Sequence, residues 1–253
     1  MKRFFLLLCL MLTACAPRAI RPPELHPVPA TTLLASVSAS GRAFHSLRGL
    51  AKVKVVDSGR TIGGTQVILA EKPDRLRAET LSPFGQPLLV LASDGRQLSI
   101  LAPGEGRFYQ GPATAQNLGR FTGFAVPLPT LVQILLYQVP VIAGSQQSVS
   151  ITKDGRYRLT LQTYNGQREV LYFDANKRLV EMNYSADGEL KFLVSWSRFT
   201  TGERAFPQAA TLSLPRQQTE VSLMFTELKI NAPIPAERFD LKPPAGVSIV
   251  DLP

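Results

Sequence analysis

Leu47-Arg48-Gly49-Leu50-Ala51-Lys52-Val53-Lys54-Val55-Val56 alternates apolar with basic side chains. A period of two marks a strand with one face on a core. Asp57-Ser58-Gly59 follows as a turn, and TIGGTQVILA (61–70) as a second strand, so the simplest unit is a β-hairpin. Outward from that hairpin the same grammar repeats. DRLRAETL (74–81), PLLVLAS (87–93), RQLSILA (96–102) and RFYQ (107–110) are separated by turn residues such as Asp94-Gly95 and Pro103-Gly104-Glu105-Gly106. Six antiparallel strands in a meander fit this run. A second run reads alike: SVSITK (148–153), RYRLTLQTY (156–164), REVLYFD (168–174), RLVEMNYS (178–185), ELKFLVSWSRF (189–199), QAATLSLP (208–215) and TEVSLMFTELKI (219–230), with turns at Asp154-Gly155, Asn165-Gly166 and Asp187-Gly188. The period of these turns matches hairpins rather than a solenoid or propeller repeat.

Pro112 to Pro140 interrupts the meander. PATAQNLGRFTGF (112–124) and PLPTLVQILLYQ (127–138) carry apolar residues near helical spacing, with Pro127 and Pro129 suited to a helix start. A curled sheet with an apolar concave face needs such a cover, because the face would otherwise be a large exposed apolar patch. Upstream, Thr31 or Thr32 can cap a helix running to about His45, with Leu33, Leu34, Val37, Phe44 and Leu47 as its apolar face. The fold class expected is mainly β, a curled antiparallel sheet with covering helices. No interior break in composition asks for a second domain, so residues 31–253 are read as one body.

The first fourteen residues place that body in a cell. Lys2 and Arg3 precede an apolar run, Phe4 to Leu12, and the small residues Thr13 and Ala14 lead to Cys15. This is the pattern of a lipoprotein signal peptide, 1–14, cut before a cysteine that becomes acylated. The run is too short to span ~30 Å of hydrocarbon, which takes ~20 residues. Residues 15–30 include five prolines between Ala16 and Pro29 and read as an extended tether. Cys9 leaves with the signal and Cys15 carries the lipid, so the body has no thiol for a disulfide, a metal or catalysis. Loss of Lys2 and Arg3 lowers the formal charge of +9 by two and leaves a basic protein, suited to an anionic membrane face or an acidic partner. An exported chain is not expected to meet nucleic acid. The basic residues are dispersed singly along strands, as at Lys52, Lys54, Arg75, Arg77, Arg156 and Arg158, the usual mark of a solvated face.

Chemistry-bearing constellations are missing. His26 lies in the tether and His45 at the end of the leading helix, and no strand alternation brings either to a second ligand or a nucleophile. Gly63-Gly64 reads as a bulge or a close backbone approach rather than a phosphate cradle. Asp57, Asp94, Asp154 and Asp187 fall at turns, where they stabilise turn geometry. No enzyme activity, metal or cofactor is expected. The inner face is more informative: where Lys52, Lys54, Arg75 and Arg77 point out, Ala51, Val53, Val55, Leu76 and Ala78 point in, and Leu89, Leu91, Leu98 and Ile100 share one face. Such rows build either a filled core or the wall of a cavity for an apolar ligand. Leu81-Ser82-Pro83-Phe84-Gly85-Gln86-Pro87 sets an aromatic where a turn normally carries polar residues. Phe84 either plugs the barrel mouth or points out, where burial in a bilayer would contribute ~2 kcal/mol.

In their order, several stretches resemble the LolB family of outer-membrane lipoprotein receptors and, more broadly, the LolA/LolB lipoprotein-carrier superfamily. These are LRGLAKVKV (47–55), LSPFGQPLLVLASDGRQLSIL (81–101), GRFYQGPATAQNLGRFTGFAVPLPTLVQILLYQVP (106–140), VEMNYSADGELKFLVSWSRF (180–199) and FPQAATLSLPRQQTEVSLMFTELKI (206–230). Together they span most of the chain after the tether. The resemblance implies an unclosed antiparallel half-barrel of about eleven strands, its helical lid enclosing an apolar cavity. It also implies a lipid-anchored receptor in the outer membrane, facing the periplasm, that accepts acylated lipoproteins from a LolA-like periplasmic carrier and inserts them into that membrane. Ala16 in place of a retaining aspartate is similar to what outer-membrane lipoproteins carry. By the same resemblance Pro83, Phe84 and Gly85 form the membrane-insertion loop, with Phe84 outward in the place of the family's leucine. Val53, Val55, Leu76, Leu89, Leu91, Leu98, Ile100, Leu131 and Leu135 are the expected acyl-chain cavity, in a monomer.

Two departures stand out. The family's tryptophans in the second strand and second covering helix are absent from VILAEK (67–72) and LVQILLYQ (131–138), and Trp196 lies elsewhere. The end, Asn231-Ala232-Pro233-Ile234-Pro235 through FDLKPPAGV (239–247), extends past the receptor pattern and resembles the carrier branch. These leave two alternatives: a carrier of another amphiphile, phospholipid or glycolipid, on the same fold, or a structural envelope lipoprotein with a filled sheet.

Overall fold

A computed structural model describes residues 25–202 and 204–253. The expected signal peptide, Cys15 and most of the expected tether therefore lie outside the described residues. Among the described residues three α-helices accompany fourteen strands in a single unclosed sheet. Helix α1 (Ala30–Ala43) leads into β1 (Ser46–Asp57), β2 (Arg60–Glu71), β3 (Arg75–Leu81), β4 (Pro87–Ser93), β5 (Gln97–Ala102) and β6 (Arg107–Pro112). Helices α2 (Ala115–Thr122) and α3 (Leu128–Leu135) follow. Next come β7 (Gln146–Ile151), β8 (Tyr157–Gln162), β9 (Arg168–Phe173), β10 (Leu179–Ala186), β11 (Glu189–Phe199), β12 (Pro207–Leu214), β13 (Thr219–Ile230) and β14 (Ser248–Asp251).

The two meanders join through β1 and β13, so the sheet runs β14-β6-β5-β4-β3-β2-β1-β13-β12-β11-β10-β9-β8-β7. The class matches the expectation, and the strand number exceeds the expected eleven. β14 is the strand the pattern missed: four residues in a Pro- and Gly-rich tail, paired in parallel with β6. Between β13 and β14 the chain crosses the convex face, where Ile234 and Phe239 pack with Leu69 and Val67 in a second hydrophobic cluster.

Local chemistry explains the hairpins. Ser58 and Gly59 both have positive φ, as do Asp187 and Gly188, which gives two-residue turns whose twist matches the flanking strands. Four other connections share one three-residue design, at Ser82–Gln86, Thr152–Arg156, Thr163–Gln167 and Asp174–Arg178. In each, the fourth residue's N–H donates to the first residue's carbonyl, the first residue's N–H donates to the fifth's carbonyl, and the fifth residue's N–H donates to the first residue's side-chain oxygen. The fourth position is left-handed and holds Gly85, Gly155 and Gly166, but Lys177 in the last.

Three local expectations are corrected. Neither Thr31 nor Thr32 caps α1; Pro29 precedes the first turn and the Thr32 N–H donates to its carbonyl. The helix ends at Ala43, since Phe44 is already extended, and Leu47 belongs to β1. Gly63 and Gly64 make no bulge, for the β1–β2 register runs unbroken from Ser46↔Glu71 to Asp57↔Arg60.

Candidate functional site

The strands give the sheet two ends. At one, the far rim, lie the turns after β1, β3, β5, β8, β10 and β12; at the other, the near rim, lie α1, the 174–178 turn and the 200–206 loop. The concave face is unevenly filled. Across β8 to β11, Leu159, Leu161, Leu171, Phe173 and Val194 are fully buried in one packed cluster with Leu33 and Val37 of α1. Tyr137 closes this half: its ring meets Phe44, Trp196, Phe199 and Phe206, and its hydroxyl donates to the Leu179 carbonyl at 2.7 Å.

Across β1 to β4, β12 and β13 the face is hollow. A cavity of about 480 Å³ lies there, under α2 and α3, within the range of roughly 300–1,000 Å³ of small-molecule sites. Val53, Val55, Leu76, Leu89 and Leu91 line its sheet side, in places the alternation assigned to the inner face, and Leu131 and Leu135, expected from the resemblance, line its lid side. Leu98 and Ile100 do not line it. They face the same side one strand further on but are 1% and 0% exposed, packed in the cluster that includes Leu118 of α2. Ala78, already assigned to the inner face, lines it too, and residues missed by the sequence reading complete the wall: Ile68 from the sheet, Ala210, Leu212, Val221 and Leu223 from β12 and β13, and Phe121, Phe124 and Ile134 from the lid. Alternation in β12 and β13 was available to find the strand residues, but only the β1–β13 pairing brings them to the same hollow.

Polarity is graded along the cavity. Asp57, Gln66, Thr80, Arg120 and Thr122 also line it, and the strand members of that set sit toward the far rim. Several of them are hydrogen-bonded to one another or to neighbours: Gln66 Nε2 donates to Thr80 Oγ1 at 3.1 Å, Asp57 Oδ1 accepts from the hydroxyls of Ser58 and Thr219, and Thr122 Oγ1 donates to the Leu118 carbonyl. The mouth includes exposed Ile62 and the glycine pair Gly63-Gly64, which leave a gap in the wall where side chains would project. The lid is fastened to the tail and to the sheet. Asn117 Nδ2 of α2 donates to the Pro253 carbonyl at 2.7 Å. Gln217, in the β12–β13 turn, bonds the N–H and C=O of Ala125 between α2 and α3, and Trp196 Nε1 donates to the Ile134 carbonyl of α3 at 3.3 Å. Trp196 thus reaches the lid from β11 beneath it. Such a chamber binds by burial, with an apolar interior and a polar rim that can stay wet.

Phe84 stands on the same rim, 91% exposed. Its turn is rigid: Ser82 Oγ accepts from the N–H groups of Phe84 and Gln86, and Gly85 adopts φ +80° with open space around its Cα. Pro83 at the turn's first central position fixes the approach. Phe84 is therefore no plug. Ile62, Leu88, Tyr164 and Leu190 are exposed at this end too, with Tyr164 at the tip of an identical turn.

One buried ionisable group stands apart from the cavity. Glu169 of β9 is 0% exposed, and burial pushes its carboxyl up to about 7, against the lowering effect of a hydrogen bond from the Ile142 N–H at 3.2 Å. Its other oxygen has no partner among the described residues.

No family model matches the chain, and no curated protein matches it by sequence. Solved structures do match by shape. An outer-membrane lipoprotein-sorting protein domain from Vibrio parahaemolyticus is 10% identical with a TM-score of 0.54, covering 83% of this chain and 95% of that one. A LolA superfamily protein from Nitrosomonas europaea is 12% identical with a TM-score of 0.53, covering 84% and 98%. A DUF1329 family protein from Desulfovibrio piger is 10% identical with a TM-score of 0.55, covering 84% and 98%. The chain shares the open-barrel fold of these proteins. Among the described residues no helix is long and apolar enough to cross a membrane.

Proposed function

We propose that this protein is a receptor that takes acyl chains of lipoproteins into the cavity beneath α2 and α3 and passes them to the outer membrane. In this reading Cys15 carries the lipid anchor, and a LolA-like periplasmic carrier delivers the cargo. The observation that supports it is the placement of an apolar chamber and an outward aromatic on one rim. Val53, Val55, Leu76, Leu89, Leu91, Leu131 and Leu135 would hold the chain. Pro83, Phe84 and Gly85 would press into the bilayer, where burial of the ring contributes ~2 kcal/mol. Transfer then needs no chemistry, only a chain that is better buried at each step.

The test is transfer of an acylated lipoprotein from its purified carrier to residues 16–253 made without lipid, with Phe84→Glu beside wild type. Transfer to both, with membrane insertion by the lipidated form lost only in the variant, supports the receptor. Failure of transfer to either sinks it. A second reading, carriage of a phospholipid or glycolipid, draws on the carrier-like tail that crosses the convex face to β14. Mass spectrometry of material copurifying from a membrane extract separates the two.

A further inference from the structure

The near rim carries a second concavity, about 1,180 Å³, between the end of α1, the 174–178 turn and the 200–206 loop. Arg42, Lys177, Arg178 and Arg204 line it, with His45 beside them, and no carboxylate is among its described lining residues. Arg178 is neutralised by Asp174 at 2.6 Å and lies over the Phe199 ring. Arg42, Lys177 and Arg204 have no ion-pair partner among the described residues. These cations come from three separate segments, and only the fold gathers them. Lys177 also stands at φ +61° in the turn position that three sister turns give to glycine, a costly backbone for a lysine and one that tends to persist where the side chain is used.

The chain's own exit points to what the groove meets. Tyr157 Oη donates to the His26 carbonyl at 3.1 Å, and Leu25 and Val28 pack on the core, so the chain before Leu25 leaves from the near rim, where β8 begins. From Cys15 to Leu25 is ten residues, a reach of at most ~36 Å. The twelve residues of β1 span ~40 Å between the rims. A body anchored at Cys15 rests most readily with its near rim on the membrane.

We propose that the groove of Arg42, Lys177 and Arg204 is a docking site for the anionic headgroups of the membrane that carries the anchor, holding the body with its cavity mouth turned away to receive cargo. The proposal rests on the anchored-receptor reading for its geometry. Phe84 reaches that membrane only when the groove releases and the tether is drawn out. Mutual exclusion of the two contacts gives the body a receiving and a delivering posture.

Residues 25–253 contain the whole sheet, the three helices and both hydrophobic clusters, so residues 16–253 without lipid are a fair test protein. Cosedimentation is measured with mixed phosphatidylglycerol–phosphatidylcholine vesicles and with pure phosphatidylcholine vesicles. Wild type should bind the anionic vesicles alone, and less at high salt. The Arg42→Gln/Lys177→Gln/Arg204→Gln variant should lose ~100-fold in partitioning, while Lys52→Gln, at an exposed cation on the convex face outside both the groove and the cavity, binds as wild type does. All three changed residues lie on the surface or at the groove's edge, and circular dichroism checks the fold. Equal binding by the triple variant, or equal binding to neutral vesicles, overturns the proposal. So does saturation by inorganic phosphate without any vesicle binding, which would mark a free-anion site. Binding of a fluorescent fatty acid to the cavity, read on the same samples, shows whether the groove fails alone or the amphiphile reading fails with it.

Discussion

Phe84 and Glu169 show how differently one residue can be legible. Phe84 was visible as an aromatic in a Pro-Phe-Gly turn, but whether it plugged the mouth or pointed out was open until the structure showed the ring exposed on a turn braced by Ser82. Glu169 gave no sign in sequence, because REVLYF alternates as any strand does and only the fold decides which face is dry. Its consequence is a pH dependence with a definite sign. The folded carboxyl keeps its proton up to about 7, above the ordinary value of 4.5, whereas the unfolded chain loses it near the ordinary value. Stability is therefore greatest below the unfolded pKa and falls as pH rises toward 7, by about 3 kcal/mol at most. Glu169→Gln removes that slope. The variant should melt within a degree or two of wild type at pH 5 and several degrees higher at pH 8, by calorimetry.

At the scale of elements, strands and turns were readable because their determinants are neighbours: alternation, and Asp-Gly, Asn-Gly and Pro-Gly pairs between the apolar runs. Helix limits were less so. The start of α1 slipped because Pro29 presets the backbone without a capping side chain, and its end slipped because Phe44 continues an apolar face while the chain has already turned extended. The cavity belongs to this scale, since α2 and α3 bridge a hollow instead of filling it. A cavity wall and a core look alike in sequence: Leu89, Leu91, Leu98 and Ile100 obey one alternation, yet only the first two face open space. Ala78→Phe fills that space from β3. Fatty-acid binding should weaken at least tenfold, with a melting temperature within a few degrees of wild type. The single tryptophan reports the lid, because Trp196 holds the Ile134 carbonyl; its emission should shift on ligand addition in wild type and stay still in Ala78→Phe.

Over the whole molecule, one half of a continuous sheet is a packed scaffold and the other a chamber, and the tail straps the chamber half from outside. Ending the chain after Ala232 keeps the Asn231 bonds to Ser46 and Ala43 but removes Ile234, Phe239 and β14. Loss of the three buried side chains, Ile234, Phe239 and Leu252, should cost about 6 kcal/mol, and the bared β6 edge should promote association. Denaturant unfolding and light scattering measure the two effects, and unchanged stability would mean the strap is ornamental to the fold.

The sequence by itself determined the class of fold, the two meanders, the interrupting helices and the apolar inner rows, since each depends on residues a few positions apart and on periods the backbone imposes. Tertiary structure alone decided which rows border a void, which carboxyl is dry, how the tail pairs, and that dispersed cations converge at one rim. Those properties depend on what lies across the sheet and the lid, and burial, dielectric and charge density are set by distance in space rather than along the chain.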